Sequence, residues 1–233
     1  MVLSLDRWVG KVAIVTGASS GIGAAIAEQL VEEGINVAAF ARRKELMEEL
    51  AKKLGDKKGK LYPIKVDLTE EEDILNGFKW VKENLGPVHI LINNAGTLGE
   101  ATLTEGDAEI WKYIFQVNVI GLSTATREAV KDMRVNNVDG HIIHINSVLG
   151  HQTPSVPGLN VYPASKFAVT ALAETLRVEM GKLHLKIKIT NLSPGLVNTD
   201  LIPETFRESK EFKEILKDEE IMYPADIADS VLY

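Results

Sequence analysis

Six short runs of β-branched and apolar residues alternate along this chain with longer segments of helical periodicity. This alternation limits the possible folds more than any other feature. The runs are KVAIVT (11–16), NVAAFA (36–41), KLYPIKV (60–66), HILINN (89–94), GHIIHIN (140–146) and KIKITNLS (186–193). Most of them are nearly continuously apolar, as strands of a parallel sheet are when both faces are covered.

The intervening segments predict helices that connect these strands. They are Gly21–Glu33, Lys44–Leu54, Glu70–Asn84, Asp107–Arg134 and Ala164–Met180. Repeated strand–helix–strand units imply right-handed crossovers. We therefore expect an α/β fold with a single doubly wound parallel sheet of Rossmann type, flanked by helices on both faces. No repeat, linker or low-complexity tract divides the chain, so residues 1–233 are expected to form one domain.

Composition and charge exclude several classes of partner. A net charge of −7 argues against nucleic acid, which favours a basic face. The chain has no cysteine, so thiolate metal sites and disulfides are excluded, and no metal site is predicted. The N-terminal MVLSLDRWVGK has charges where a signal peptide needs apolar residues, and no apolar run approaches the roughly 18 residues of a membrane span. These features predict a soluble cytoplasmic protein.

The first strand runs into TGASSGIG (16–23), and a predicted helix follows at once. Gly17, Gly21 and Gly23 allow a tight turn and a close approach of the backbone to a pyrophosphate, at a helix N-terminus that favours anions. The position after the first strand is the context in which such a motif indicates a dinucleotide site. The alternative is a tight strand-to-helix turn that binds nothing.

A second signal, FARRKE, lies about 20 residues further on. A fold that binds NAD usually has an acid here to accept the ribose 2′-hydroxyl. This chain has Arg42 and Arg43 instead, and no acid from Ile35 to Lys44. Two guanidinium groups suit a 2′-phosphate, so the pattern favours NADP. The alternative is a solvated basic start to a helix.

Together with the glycine-rich turn, a series of short motifs occurs in a specific order. They are Asp67-Leu68, Asn93-Asn94-Ala95-Gly96, Asn118, Ser147, Tyr162-Pro163-Ala164-Ser165-Lys166, and Pro194-Gly195 with Thr199. In this order and spacing the chain resembles the short-chain dehydrogenase/reductase family over essentially its whole length. Four sequence segments are similar to the insect farnesol-dehydrogenase-like branch of that family and its vertebrate relatives: DRWVGK, EEDIL, VDGHIIHINS and GLNVYPASK.

The resemblance implies roles for individual residues. The implied cofactor contacts are Gly17, Ser19, Ser20, Gly21, Ile22, Gly23, Arg42, Arg43, Asp67, Leu68, Asn94, Ala95, Gly96, Tyr162, Lys166, Pro194, Gly195, Val197 and Thr199. Tyr162 would be the acid/base, and Ser147 would polarise the substrate oxygen. Lys166 would hold the nicotinamide ribose, while Asn118 would hold a water in the proton relay.

The chemistry of alcohol oxidation independently asks for these residue types. A carbinol and its carbonyl interconvert by hydride transfer plus one proton at oxygen. A phenol of pKa ~10 is a poor base at neutral pH. On a helix, Tyr162 and Lys166 lie one turn apart on one face, so we expect the ammonium, together with a cationic nicotinamide ring, to lower the pKa of the phenol. Ser147 offers a neutral hydrogen bond to the same substrate oxygen.

Other residues admit less specific interpretations. His141 and His144 point to opposite faces of a strand, so they cannot share a metal ion and are expected to pack in the sheet. His151 follows Ser147 and either contacts substrate or is a solvated loop residue. Residues 201–220 resemble the family's substrate flap, in which Leu201, Ile202 and Phe206 would contact an apolar chain. The alternative there is a solvated amphipathic helix.

The resemblance departs at the end of the sequence. The last residues, PADIADSVLY, predict a helix, whereas family members usually add a further strand. Either the chain given is shortened or the last strand is absent; in both cases we expect a sheet without that final strand. The family resemblance also implies a homodimer or homotetramer.

These observations predict an NADP(H)-dependent oxidoreductase that interconverts an alcohol, such as farnesol or another apolar alcohol, and its aldehyde or ketone. One alternative is a carbonyl or steroid reductase of the same family. Another is a catalytically idle NADP-binding sensor or scaffold, although Ser147, Tyr162, Lys166 and Asn118 are all present. A third is an epimerase or dehydratase, which usually carries a larger C-terminal substrate domain.

Overall fold

The computed structural model describes residues 5–99, 102–153, 158–202, 207–208, 214 and 221–232. Within these ranges, six strands form one parallel sheet in the order β3-β2-β1-β4-β5-β6. The strands are β1 (Val12–Thr16), β2 (Asn36–Ala41), β3 (Leu61–Lys65), β4 (Val88–Asn93), β5 (His141–Ile145) and β6 (Lys188–Leu192). The predicted fold class is confirmed.

Helices cover both faces of the sheet. They are α1 (Gly21–Glu32), α2 (Lys44–Leu54), α3 (Glu71–Asn84), α4 (Ala108–Phe115), α5 (Leu122–Val135), α6 (Tyr162–Lys182) and α7 (Pro224–Leu232). A π-helical segment, Gln116–Gly121, joins α4 to α5. Short 3₁₀ turns occur at Asp6–Trp8 and Val148–Gly150.

The sheet separates two apolar cores, because alternate side chains of each strand point to opposite faces. Ala13 and Val15 of β1 pack with buried residues of α1, α2 and α7. Val12 and Ile14 of the same strand pack on the other side, with buried residues of α3, α5 and α6. This double burial explains the continuous apolar runs in the sequence.

The predicted helix Asp107–Arg134 is interrupted in the structure. The turn from Gln116 to Gly121 is π-helical, and it lies between α4 and α5. Asn118, in this wider turn, is buried and bonded to the backbone of Thr97. Helical periodicity in the sequence does not distinguish an α-turn from a single π-turn, and such turns occur frequently at functional sites.

Two prolines lie within regular elements, at positions where the missing N–H is tolerated. Pro63 lies within β3, which is the edge strand of the sheet in the described residues and pairs there with β2. Proline is tolerated on an edge strand, because its missing N–H does not interrupt the hydrogen bonds between inner strands. Helix α6 begins at Tyr162, two residues before the predicted start. Pro163 then occupies the first turn of α6, where a backbone N–H has no intrahelical partner.

The C-terminal helix α7 packs against α1. Ile227 and Ala228 are buried, and Gln29 Nε2 donates a 2.7 Å hydrogen bond to Asp229 Oδ1. Among the helices in the described ranges, none is both long and apolar enough to cross a membrane.

The two histidines of β5 pack within the sheet layers, as expected. Nε2 of His141 lies 2.8 Å from Thr190 Oγ1. His144 is 1% exposed, and its Nδ1 lies 3.1 Å from Asn93 Nδ2. The amide N–H₂ can only donate, so Nδ1 accepts and His144 is neutral. Burial lowers the pKa of His144 from 6.5 to about 4.

This buried histidine predicts acid sensitivity of the fold. Between pH 6.5 and 4 the unfolded chain binds a proton at residue 144 that the folded chain does not bind, so the free energy of unfolding falls as the pH falls. A shift of this size corresponds to about 3 kcal/mol, reached in full below pH 4. We expect His144→Gln to remove this part of the pH dependence in urea unfolding measured between pH 7 and pH 4.

His184, which is exposed, provides the control. Asparagine tolerates the positive φ of residue 184, so His184→Asn should fold normally. We expect this variant to show the same pH dependence of the free energy of unfolding as wild type. An identical slope in wild type and His144→Gln would contradict the assignment.

Candidate active site

A cleft of about 410 Å³ opens where the strand order reverses between β1 and β4. In doubly wound sheets the carboxyl ends of the strands at this switch point form the ligand crevice. Fifteen of the predicted cofactor residues line it: Gly17, Ser19, Ser20, Gly21, Ile22, Arg42, Arg43, Asp67, Leu68, Asn94, Ala95, Gly96, Tyr162, Lys166 and Thr199. The sequence motifs therefore converge on one site.

The glycine-rich turn has close backbone contacts that exclude side chains. Gly17 has a φ of +67°, and a Cβ there would lie 2.7 Å from Ala95 Cα. A Cβ on Gly23 would lie 2.4 Å from the carbonyl oxygen of Gly17. The turn is therefore compact at the start of α1, and it leaves room beside the helix N-terminus for a phosphate.

The β4 end of the cleft is held to β1 through Thr16. Its Oγ1 accepts hydrogen bonds from the backbone N–H groups of Asn94, at 3.0 Å, and Ala95, at 3.1 Å. The side chain of Asn94 donates back to the carbonyl of Thr16 at 2.9 Å. These reciprocal bonds place Asn94, Ala95 and Gly96 in the floor of the cleft.

Arg42 and Arg43 lie at the far end of the cleft from Tyr162. Arg43 donates to Ser20 Oγ at 2.8 Å and to Ser19 Oγ at 3.1 Å. Arg42 donates to the hydroxyl of Tyr113, on α4, at 2.8 Å. Both arginines line the cleft, and in these three hydrogen bonds their partners are neutral hydroxyl groups.

Asp67 and Leu68 follow β3 and line the same end. Asp67 Oδ1 accepts from the N–H and the hydroxyl of Thr69, at 3.0 and 2.9 Å. The backbone N–H of Asp67 donates to Asp73 at 3.0 Å. These bonds fix the loop in which the two predicted residues lie.

At the other end, Tyr162 and Lys166 project from the first turns of α6. Lys166 is 6% exposed, and its Nζ donates to the carbonyl of Ile145 at 3.1 Å. The Nζ lies 5.7 Å from the centroid of the Tyr162 ring. The side chain of Ser147 hydrogen-bonds that of Tyr162, although Ser147 itself does not line the cleft.

The protonation of this group differs from the sequence-based expectation. Burial raises the pKa of Tyr162 to about 12, and the Ser147 hydrogen bond acts in the lowering direction. Burial lowers the pKa of Lys166 to about 8. Since both side chains lose water, desolvation of the phenol outweighs any attraction from the ammonium, and the protein by itself favours the neutral phenol.

Asn118 connects the π-helical segment to this group. Its Oδ1 accepts from the N–H of Thr97 at 2.8 Å, and its Nδ2 donates to the carbonyl of Thr97 and to Ser165 Oγ, each at 3.0 Å. Ser165 in turn donates to the carbonyl of Tyr162 at 2.7 Å. Asn118 therefore ties the β4 loop to the start of α6, although its side chain does not line the cleft.

The loop after β6 reaches the glycine-rich turn. Thr199 lies beside Gly21, and Val197 is buried and bridged to Met222. The carbonyl of Pro194 accepts from Val148 at 2.9 Å. Gly23, Pro194, Gly195 and Val197 support the cleft rather than line it.

Of the predicted substrate contacts, Leu201 lines the cleft, whereas Ser147, His151 and Ile202 do not. His151 is exposed, and its Nε2 lies 2.9 Å from Ser193 Oγ. Phe206 lies outside the described residues, as does most of the predicted flap. Arg207 donates to the backbone carbonyls of Ile202 and Thr199 and so connects to this loop.

Sequence reasoning missed several residues of the cleft wall. They are Phe40, Ala41, Val66, Thr97, Tyr113, Val117, Ile145, Asn146 and Asp200. The apolar ones carry no signal beyond their place at strand ends or on helices. Tyr113 had none, because only the tertiary structure brings α4 against Arg42.

The residues present fit a dinucleotide. The compact turn around Gly17 and Gly23 excludes side chains beside a helix N-terminus, where a pyrophosphate is favoured. Arg42 and Arg43 present five-donor guanidinium groups at the adenosine end, and Lys166 presents an ammonium at the other.

Comparison with known proteins agrees with this geometry. The family described as short chain dehydrogenase matches residues 11–210. A farnesol dehydrogenase of Aedes aegypti is 44% identical over 231 residues, covering 98% of this chain and 91% of that protein. Human dehydrogenase/reductase SDR family member 11 is 42% identical over 239 residues, covering 98% of this chain and 90% of that protein.

Solved structures show the same architecture. A short-chain type dehydrogenase/reductase from Mycobacterium marinum matches with a TM-score of 0.90 at 26% identity, covering 97% of this chain and 88% of that one. A short chain dehydrogenase/reductase from Burkholderia phymatum, in complex with NAD, matches with a TM-score of 0.83 at 26% identity, covering 95% and 84%.

Proposed function

Because the chain belongs to the short-chain dehydrogenase family, we propose that it is an NADP(H)-dependent oxidoreductase acting on an apolar alcohol and its aldehyde or ketone. The observation that carries this proposal is a cleft lined by Tyr162 and Lys166 at one end and by two arginines at the other, with Ser147 hydrogen-bonded to Tyr162. Nicotinamide cofactors are used throughout the family, and the preference for NADP is the part that these arginines support.

Bound NADP(H) supplies the hydride donor or acceptor in this reaction. The chain would hold the pyrophosphate at the turn around Gly17 and the 2′-phosphate between Arg42 and Arg43. Lys166, whose pKa of about 8 keeps it largely protonated at neutral pH, would hold ribose hydroxyls at the nicotinamide end.

Proton transfer falls to Tyr162. In carbonyl reduction, its hydroxyl donates a proton to the oxygen that becomes the alcohol; in oxidation, the phenolate accepts that proton. Ser147 donates a hydrogen bond to the same oxygen and orients it for proton transfer with Tyr162. Asn118 holds the start of α6 in place and, in this proposal, a relay water.

Reduction of a carbonyl uses the same residues in the opposite direction. Burial raises the pKa of Tyr162 to about 12, so its phenol is protonated at neutral pH, as a proton donor must be. Carbonyl reduction is therefore the second candidate for the physiological activity, carried out by the same residues.

An apolar substrate is supported by two observations. Leu201 contributes an apolar side chain to the cleft wall near Thr199. The similar Aedes aegypti protein is named farnesol dehydrogenase, and farnesol is accordingly the first candidate alcohol. Ile202, His151 and Phe206 remain proposed contacts at the substrate end.

A homodimer is the proposed assembly. Phe167 and Val178 are 43% and 57% exposed on α6, and their spacing of eleven residues places them on one face of the helix. A second copy of the chain covering this face would remove both side chains from water.

The proposed function is tested by nicotinamide absorbance with purified protein. We expect turnover with NADP(H) and members of a panel that contains farnesol, farnesal, short secondary alcohols and a steroid ketone. Turnover on other members but not on farnesol would retain the reaction class and discard the substrate. Binding of NADPH without any turnover across the panel would contradict the proposal and favour an idle cofactor-binding protein.

A further inference from the structure

The hydroxyl of Thr170 joins α6 to the loop that carries Ser147. Thr170 lies one turn after Lys166, and its Oγ1 donates to the carbonyl of Gly150 at 3.0 Å. The carbonyl of Lys166, 3.3 Å away, is a second acceptor for the same hydroxyl. In the other direction, Oγ1 accepts a 2.9 Å hydrogen bond from Asn146 Nδ2. One side chain therefore contacts the residues on either side of the Ser147 turn.

The packing around Gly150 leaves no room for a side chain at that position. A Cβ on Gly150 would lie 2.7 Å from Asn146 Nδ2, 2.8 Å from the carbonyl oxygen of Lys166 and 2.9 Å from Thr170 Oγ1. Gly150 is also buried. Any side chain at residue 150 would therefore collide with the Lys166 carbonyl and the Thr170 hydroxyl, so the loop lies directly against α6 here.

The opposite side of the same loop is held by β6 and its following residues. The backbone N–H of Asn146 donates to Leu192 at 2.7 Å, and that of Val148 donates to Pro194 at 2.9 Å. Ser147 lies between them and accepts from the N–H of Leu149 at 3.1 Å. These bonds fix the loop relative to the sheet, whereas those of Thr170 fix it relative to the helix of Tyr162 and Lys166.

We propose that Thr170 is a positioning residue that sets the distance between Ser147 and the Tyr162–Lys166 pair through its bonds to Asn146 and Gly150. This inference rests on the proposed function, because it concerns the alignment of the group that polarises the substrate oxygen. Thr170 itself does not line the cleft and is not assigned contact with substrate or cofactor.

The test compares three variants with matched changes. Thr170→Val keeps the shape of the side chain and removes the hydroxyl, while Thr170→Ser keeps the hydroxyl. Thr126→Val is the control, since Thr126 Oγ1 likewise bonds the carbonyl four residues earlier, that of Leu122, and accepts from an asparagine Nδ2, that of Asn93. Thr126 lies on α5, and its variant loses a comparable hydroxyl elsewhere in the fold.

We expect Thr170→Val to lower kcat roughly 10- to 100-fold, the effect of a small misplacement of a reacting group. The Kd for NADPH should stay within about twofold, since the cofactor contacts are unchanged. Thr170→Ser and Thr126→Val should keep kcat within about threefold of wild type. In a Ser147→Ala background, Thr170→Val should have no further effect on kcat, because its action passes through Ser147. A wild-type kcat in Thr170→Val, or a full additional loss in the Ser147→Ala background, would overturn the proposal.

A measurement without turnover separates this inference from the proposed function. Hydrogen exchange of the Val148, Leu149 and Gly150 amides should be faster in Thr170→Val than in wild type and unchanged in Thr126→Val. If no substrate reacts with wild type, the proposed function fails while faster exchange still supports the positioning role. Unchanged exchange in Thr170→Val would overturn it. Should Thr170→Val not fold, Gly150→Ala, which crowds the same contacts, is expected to lower kcat and speed exchange at these amides; a wild-type result would overturn the proposal.

Discussion

Replacement of Tyr162 by phenylalanine is expected to lower kcat by about 10³-fold, the loss typical of removing a positioned proton donor. The phenol is buried and hydrogen-bonded to Ser147. The centroid of its ring lies 5.7 Å from the Nζ of Lys166. Phenylalanine retains the ring and its packing, so the fold and the cleft should persist. The measurement is steady-state turnover, together with NADPH binding by fluorescence titration, in which the Kd should stay within about threefold of wild type.

Tyr62→Phe is the matched control for this change. Tyr62 lies on the edge strand β3 against Trp80, outside the cleft, and its variant should have wild-type kcat. A Tyr162→Phe enzyme with more than a tenth of the wild-type rate would show that another group supplies the proton.

The second large effect concerns the choice of cofactor. Arg42→Asp combined with Arg43→Ala should raise the Kd for NADPH about 100-fold, because charge-assisted hydrogen bonds contribute roughly 1.5–3 kcal/mol each. The Kd for NADH should change little or fall, since an aspartate at residue 42 can accept the 2′-hydroxyl of the ribose. The ratio of the two dissociation constants, measured by titration, is the quantity that decides.

The control for charge is Lys52→Asp with Lys53→Ala in the last turn of α2, the helix that begins directly after Arg43. It makes the same change in net charge, away from the cleft. An unchanged ratio in the arginine variant would show that the 2′-phosphate is recognised elsewhere. An equal change in the lysine variant would show that the net charge of the protein, and not these two arginines, affects the choice of cofactor.

Much of the fold could be predicted from the sequence because its signals are local. Continuous apolar runs predicted all six strands to within one or two residues, and helical periodicity predicted the flanking helices. The π-helical turn at Gln116–Gly121 could not be predicted in this way. Within that turn, Asn118 is hydrogen-bonded to Thr97, a residue 21 positions away in the loop after β4.

The same division holds within the site. Glycine at positions 17, 21 and 23 and the paired arginines indicated a dinucleotide from residue type and spacing alone. The contact of Arg42 with Tyr113 joins residues 71 positions apart, and the contact of Thr170 with Asn146 joins residues 24 apart. No periodic pattern in the sequence relates these partners.

The direction of the pKa shift at Tyr162 is the clearest case in which the tertiary structure decided the outcome. A spacing of four residues identified Lys166 as a neighbour, and its ammonium together with a cationic nicotinamide ring suggested a lowered pKa. The structure buries both side chains, and desolvation raises the pKa of the phenol to about 12. The sequence by itself therefore determined the secondary structure elements, the glycine-rich turn and the types of reacting group, since these depend on neighbouring residues. Only the tertiary structure decided their protonation and alignment, because both depend on burial and on contacts between distant parts of the chain.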